Sequence, residues 1–181
     1  MYKFWSLTAP IHFPYRLFHP RYILATTRQV RDAFFTPTTP PSFVRNLESL
    51  LSPYESMLWP MQALFRFVTG PDVIRSIVGW TPRKATEFDG STRVVPRLLV
   101  LAGEKDVLCT PEILEDATDR YNAAFHHCVK SGKLDGISGT HVSAGDRGVD
   151  FHVVKGLGHH LQNDAGWQLG ATKLVLWADE L

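Results

Sequence analysis

With 181 residues, 44% of them apolar, and a formal net charge of +1, the chain is long enough for one globular domain with a real core. Its 19 basic and 18 acidic side chains are dispersed, which argues against a nucleic-acid-binding surface. No apolar run approaches the ~20 residues that a membrane-spanning helix requires.

Residues 1–25 carry Pro10, Pro14 and Pro20, which forbid a long helix and give an irregular entry segment. Its start, with one basic residue and no sustained apolar stretch, does not read as a secretory signal, so a cytoplasmic location is expected. Thr26-Thr27-Arg28-Gln29 has a capping-box pattern, and Val30, Ala33 and Phe34 then fall on one helical face. Thr36-Pro37-Thr38-Thr39-Pro40-Pro41 breaks that helix. Phe43, Val44, Leu47, Leu50 and Leu51 follow the spacing of a second amphipathic helix. Tyr54 to Val68 is apolar on most sides, as in a helix that is buried or covers an apolar site, with a break or kink at Pro60. Pro71 to Val78 forms a last short helix, and 81–93 is a polar connector without a period.

The pattern then changes. Val94 to Ala102 reads as a buried strand whose pairing starts after Pro96. Thr110-Pro111-Glu112 starts a helix to about Val129, with Ile113, Leu114, Ala117, Tyr121, Ala124, Phe125 and Cys128 inward. Ser131 to Gly148 is a long glycine-rich loop, Phe151 to Val154 a second strand, and Asp164 to Leu181 a closing helix with Trp167, Leu174, Val175 and Trp177 as core candidates. The fold class is therefore α/β. A helical front segment with its connector (1–93) precedes a β-α-β-α portion with parallel strands (94–181). Cys109 and Cys128 lie at the two ends of one helix, more than about 25 Å apart at its rise per residue, so no bridge is expected and a reduced compartment fits.

Two loops carry chemistry. Gly103-Glu104-Lys105-Asp106 directly follows the first strand, and Gly156-Leu157-Gly158-His159 directly follows the second. Open α/β sheets hold their sites beyond the carboxyl ends of the strands, where both Asp106 and His159 fall. A histidine base needs a carboxylate on its other ring nitrogen to select the tautomer and stabilise the imidazolium. Gly156 and Gly158 would let the loop turn tightly enough to face the ring into a site. The bland alternative is a solvated loop acid and a loop histidine beside His160.

Other constellations are weaker. His126 and His127 are adjacent on a helix and point about 100° apart, which suits no metal pair. No phosphate-cradling glycine loop occurs. Cys109 beside Asp106 could pair with a histidine as a nucleophile, although a small apolar residue in a strand-end loop is the simpler reading.

The back portion resembles the C-terminal end of an α/β-hydrolase. Leu98-Leu99-Val100-Leu101-Ala102-Gly103-Glu104-Lys105-Asp106 is similar to that family's penultimate core strand and acid loop, and Val153-Val154-Lys155-Gly156-Leu157-Gly158-His159-His160-Leu161 to its last strand and histidine loop. The helical front loosely resembles the lid inserted before them. The resemblance implies Asp106 as triad acid, His159 rather than His160 as triad base, and hydrolysis of an ester- or amide-like, hydrophobic substrate without a cofactor. The chain departs from the family in its stretched acid-to-histidine interval. It also lacks the first strands, the oxyanion-hole loop and a Gly-x-Ser-x-Gly elbow. Gly136-Ile137-Ser138-Gly139-Thr140 comes nearest to an elbow but fails at its fifth position and lies inside a loop. Inactivity of the chain by itself is therefore expected. The rival reading is a truncated, non-catalytic fragment that binds or dimerises through an exposed sheet edge, in keeping with Met1 leading straight into lid-like sequence. A complete small fold with coincidental hydrolase-like ends stays open.

Overall fold

A computed structural model describes residues 24, 26–51, 68–84 and 92–181. The described residues are a mixed arrangement of helix and strand, as expected for an α/β chain. They fall into two compact units. One takes in those within 1–65, Ala102–Pro111 and Val153–Ala171, and the other those within 66–101, Glu112–His152 and Thr172–Leu181.

In the first unit, helix α1 (Thr27–Phe34) begins at the expected capping box: the Thr26 hydroxyl accepts from the Gln29 N–H while the Gln29 side chain accepts from the Thr26 N–H. The chain leaves the helix at Phe35 and turns through Thr36–Thr39 into α2 (Pro41–Leu50). Proline fits that helix start because the first helical N–H has no intrahelical partner anyway. Val30, Phe35 and Val44 are buried together, with Phe34 and Leu47 packed against them. The apolar segment expected to form a lid, Tyr54 to Val68, lies outside the described residues except for Val68, which is exposed.

In the second unit, Thr69 caps a short helix α3 (Gly70–Ser76) with a reciprocal bond to Asp72. The connector expected to have no structure instead contributes two three-residue strands, β1 (Pro82–Lys84) and β2 (Thr92–Val94), paired antiparallel with Arg83 opposite Arg93. Val94 thus belongs to this strand pair, and the next strand, β3 (Leu98–Gly103), starts after Pro96, which has no N–H to give to a ladder.

Helix α4 (Pro111–Lys130) follows β3, and β4 (Val149–Val154) follows a loop with one 3₁₀ turn at Gly139–His141. Strands β3 and β4 are hydrogen-bonded neighbours. Arg97 N–H donates to Gly148 C=O and Glu104 N–H to Val154 C=O, so partner numbers rise together and the pair is parallel. Phe125, Cys128 and Val129 of α4 form the second unit's core with Ile74, Trp80, Val94 and Val149, and the Trp80 and Phe125 rings lie 4.9 Å apart. Ile113, expected inward, is instead exposed. Asn122 fastens α4 to the start of β4: its side-chain oxygen accepts from Gly148 and Val149 N–H, and its amide donates to Val149 C=O.

The last helix, α5 (Trp167–Ala178), corrects another expectation. Trp167, Leu174 and Val175 are 41%, 49% and 58% exposed, and Gly170 is its buried residue. A helix with apolar residues on all sides carries no sequence signal for its inner face. Here the glycine, without a side chain, marks the closest approach, with a Cβ there 4.0 Å from Leu157 and Leu161. No helix among the described residues is long and apolar enough to cross a membrane.

Candidate functional site

The parallel strands end in the first unit, and each ends in a loop that carries one chemical group. After Gly103 the backbone turns at Glu104–Lys105, where Asp106 N–H returns to Gly103 C=O. The Asp106 carboxylate is held from both sides. Its Oδ1 accepts the N–H groups of Leu108 and Cys109 at 2.8 and 2.9 Å, which shapes the loop leading to α4. Its Oδ2 meets His159 Nδ1 at 2.8 Å. The acid side chain is 4% exposed and the imidazole 32%.

The histidine loop is anchored to the acid loop. Lys105 N–H donates to Leu157 C=O at 2.8 Å and Gly156 N–H to Glu104 Oε2 at 2.9 Å. Of the two glycines expected to turn tightly, only Gly156 takes a left-handed φ, +77°. Gly158 is small for a different reason: a Cβ there would stand 3.2 Å from Asp164 Oδ2, Phe34 O and Phe35 C.

With Nδ1–H donating to the carboxylate, the free Nε2 holds the lone pair and is the basic nitrogen. No described residue hydrogen-bonds it. Burial by itself raises the Asp106 carboxyl pKa, but the hydrogen bond from His159, the two backbone N–H groups and the histidine's charge outweigh it, so the acid titrates below its ordinary range. It therefore stays ionised at neutral pH, as an orienting acid must. His160 is differently placed. Its Nδ1 accepts from the Asn163 amide at 2.9 Å, and burial followed by the neighbouring His159 lowers its pKa against the pull of Asp164. It faces Phe34 and Phe35 at ring separations of 6.1 and 5.6 Å and has no carboxylate partner of its own.

These directions give a pH prediction. His160 and Asp106 both titrate lower in the folded chain than in the unfolded one, so the unfolded state binds more protons. Stability is then complete above about pH 6.5, falls as His160's unfolded counterpart charges, and falls again below about pH 4 as carboxylates protonate. Urea midpoints measured at intervals from pH 7.5 to 3 should show both declines.

A cavity of about 360 Å³ opens on His159, walled by Phe35, Thr36 and Val107 and by the charged Arg31, Asp32 and Lys105. No group of three His, Cys, Asp or Glu side chains among the described residues could hold a metal ion.

Neither candidate nucleophile is in order for catalysis. Ser138 is exposed just before the 3₁₀ turn, bonded to Thr140 Oγ1 at 2.7 Å and His141 Nδ1 at 3.0 Å, not at a strand-to-helix elbow. The Cys109 thiol is pushed up by burial and by the Asp106 charge, which disfavours the thiolate. Cys109 and Cys128 are both free.

Comparison with protein-family models, curated proteins and solved structures finds no match for this chain.

One residue of this region went unnoticed in the sequence. Asp164 is fully buried with no cation bound to it among the described residues, and its carboxylate takes N–H groups from Thr36, Gly158 and Ala165 and the hydroxyls of Thr36 and Thr39. Burial by itself would raise its pKa, and these donors together lower it. The only local hint was an acid just ahead of a helix start; its threonine partners are 125 and 128 positions away.

Proposed function

We propose that this chain carries the acid and base of an α/β-hydrolase-type acyl-transfer centre. The observation that carries the reading is the 2.8 Å contact between a buried Asp106 carboxylate and His159 Nδ1, each in the loop after one of two neighbouring parallel strands. In this reading His159 Nε2 accepts the proton of an attacking hydroxyl and returns it to the leaving group. Asp106 holds the ring in the Nε2-basic tautomer and stabilises the imidazolium. The substrate class is an ester- or amide-like molecule with a hydrophobic part, which Phe35 and Val107 would face in the cavity. No described serine or cysteine side chain bonds to His159, so the chain by itself is proposed not to turn substrate over.

The test has two arms. In imidazole NMR of the full chain, a low-field His159 Nδ1–H resonance is expected, and it should vanish in Asp106→Asn and His159→Ala. Its absence from the unaltered chain would sink the acid–base assignment. A fluorophosphonate probe is expected to leave the chain unlabelled. Stoichiometric labelling of one serine, lost in His159→Ala, would instead establish a nucleophile, and Asp106→Asn should then slow that labelling by about 10⁴-fold, the cost of the wrong tautomer.

A second reading, a binding or dimerising module, is favoured by one observation: Leu169, Leu174, Val175 and Leu176 of α5 are all about half exposed. Sedimentation over a concentration series tests its dimerising form, since a monomer at every concentration removes dimerisation.

A further inference from the structure

We infer that Asp164, together with Thr36 and Thr39, is a latch that positions His159. The inference rests on the reading of His159 as a general base and assigns that base its support.

The bonds that reach Asp164 go well beyond a local turn. The Ala165 N–H, which donates to Oδ1 at 2.8 Å, is on the next residue and precedes α5, so it is a local turn contact and not a helix cap. The same carboxylate also accepts the Gly158 N–H at 2.8 Å, six positions back, on the residue immediately before His159. From the turn after α1 it accepts the Thr36 N–H at 3.2 Å, the Thr36 hydroxyl at 2.8 Å and the Thr39 hydroxyl. The residue immediately after His159 is fixed to the same turn from the other side, since His160 N–H donates to Phe34 C=O at 2.8 Å. His159 is therefore clamped through both flanking residues, and the clamp's fixed end is the segment from Phe34 to Thr39. The Phe34 ring also stands 5.6 Å from the His159 ring. A buried, ionised acid held by these donor dipoles accepts bonds from fixed directions, so it sets the path of the backbone that carries the base. Nothing in this arrangement brings Asp164 itself to the reacting atoms, so it is a positioning residue.

The experiment follows His159 Nδ1–H in the full chain by imidazole NMR, with amide exchange at Gly158 and His160 and thermal melting in parallel. If the unaltered chain shows no Asp106-dependent Nδ1–H resonance, the acid–base reading itself has failed. With that resonance in hand, Thr39→Val is expected to weaken or abolish it and to speed exchange at Gly158 and His160 by about tenfold or more, while the chain still melts cooperatively. Thr39→Ser, which keeps the hydroxyl, should restore both signals. Asp164→Asn, which turns donors toward Thr36 and Gly158, should give the larger loss. The inference is overturned if the His159 resonance and the local exchange are unchanged in Thr39→Val and Asp164→Asn. It is equally overturned if Thr39→Val lowers protection uniformly across both units, because the contact is then purely structural.

Discussion

Alanine in place of Gly103 is expected to destabilise the chain by about 3 kcal/mol or more, the upper end of the cost of overpacking, and to remove the Asp106–His159 contact. A Cβ at this position would stand 2.2 Å from Gly158 O and 2.7 Å from Leu157 O. Both obstacles are backbone, so neither can rotate away as a side-chain tip could. Moving Leu157 breaks the bond that its carbonyl accepts from Lys105 N–H, and moving Gly158 displaces the peptide next to His159. Strand β3 therefore ends in glycine because the histidine loop passes directly over it. The matched control is Gly139→Ala, where a Cβ meets nothing within 4 Å; it should change stability by no more than about 0.5 kcal/mol. Urea denaturation of both variants, with the His159 Nδ1–H resonance as the local readout, checks the pair. Equal stabilities would mean that the two loops are not in close approach.

The features legible in the sequence are those whose cause is local. The Thr26–Gln29 box, the Pro111 helix start and the apolar run at Leu98–Ala102 each need only a few consecutive residues, and all three appear where expected. Asp106 and His159 were found the same way, each as a polar group just beyond a strand. Their meeting across 53 positions depends on β3 and β4 being neighbours and parallel. Strands β1 and β2 escaped notice because three residues cannot display an alternating pattern, and Pro82-Arg83-Lys84 and Thr92-Arg93-Val94 are not apolar enough to suggest one. The inner face of α5 is not legible in the sequence because apolar residues surround that helix, leaving no periodic cue. Thr36 to Thr39 read as a simple breaker, and so it is for the helix. Its hydroxyls gain a second purpose only through an acid about 125 positions away, a distance at which no sequence pattern operates.

That long-range contact carries the other large effect. Asp164→Ala is expected to cost about 2–6 kcal/mol at pH 7, because two buried N–H donors then lose their acceptor. The threonine hydroxyls can turn to each other, since Thr36 Oγ1 already lies 3.2 Å from Thr39 Oγ1 and 3.1 Å from Thr38 Oγ1. The Thr36 and Gly158 N–H groups have no such freedom, and each buried donor left unpaired costs about 1–3 kcal/mol. The dependence on pH separates lost charge from lost volume. Because the folded carboxyl titrates below its ordinary range, its contribution is complete above the unfolded value near pH 4 and is lost as pH falls through the folded one. The stability gap between the unaltered chain and Asp164→Ala should therefore narrow steadily below about pH 4. A gap that stays constant through that range would mean that Asp164 contributes by filling space, and that the donors around it do not depend on its charge.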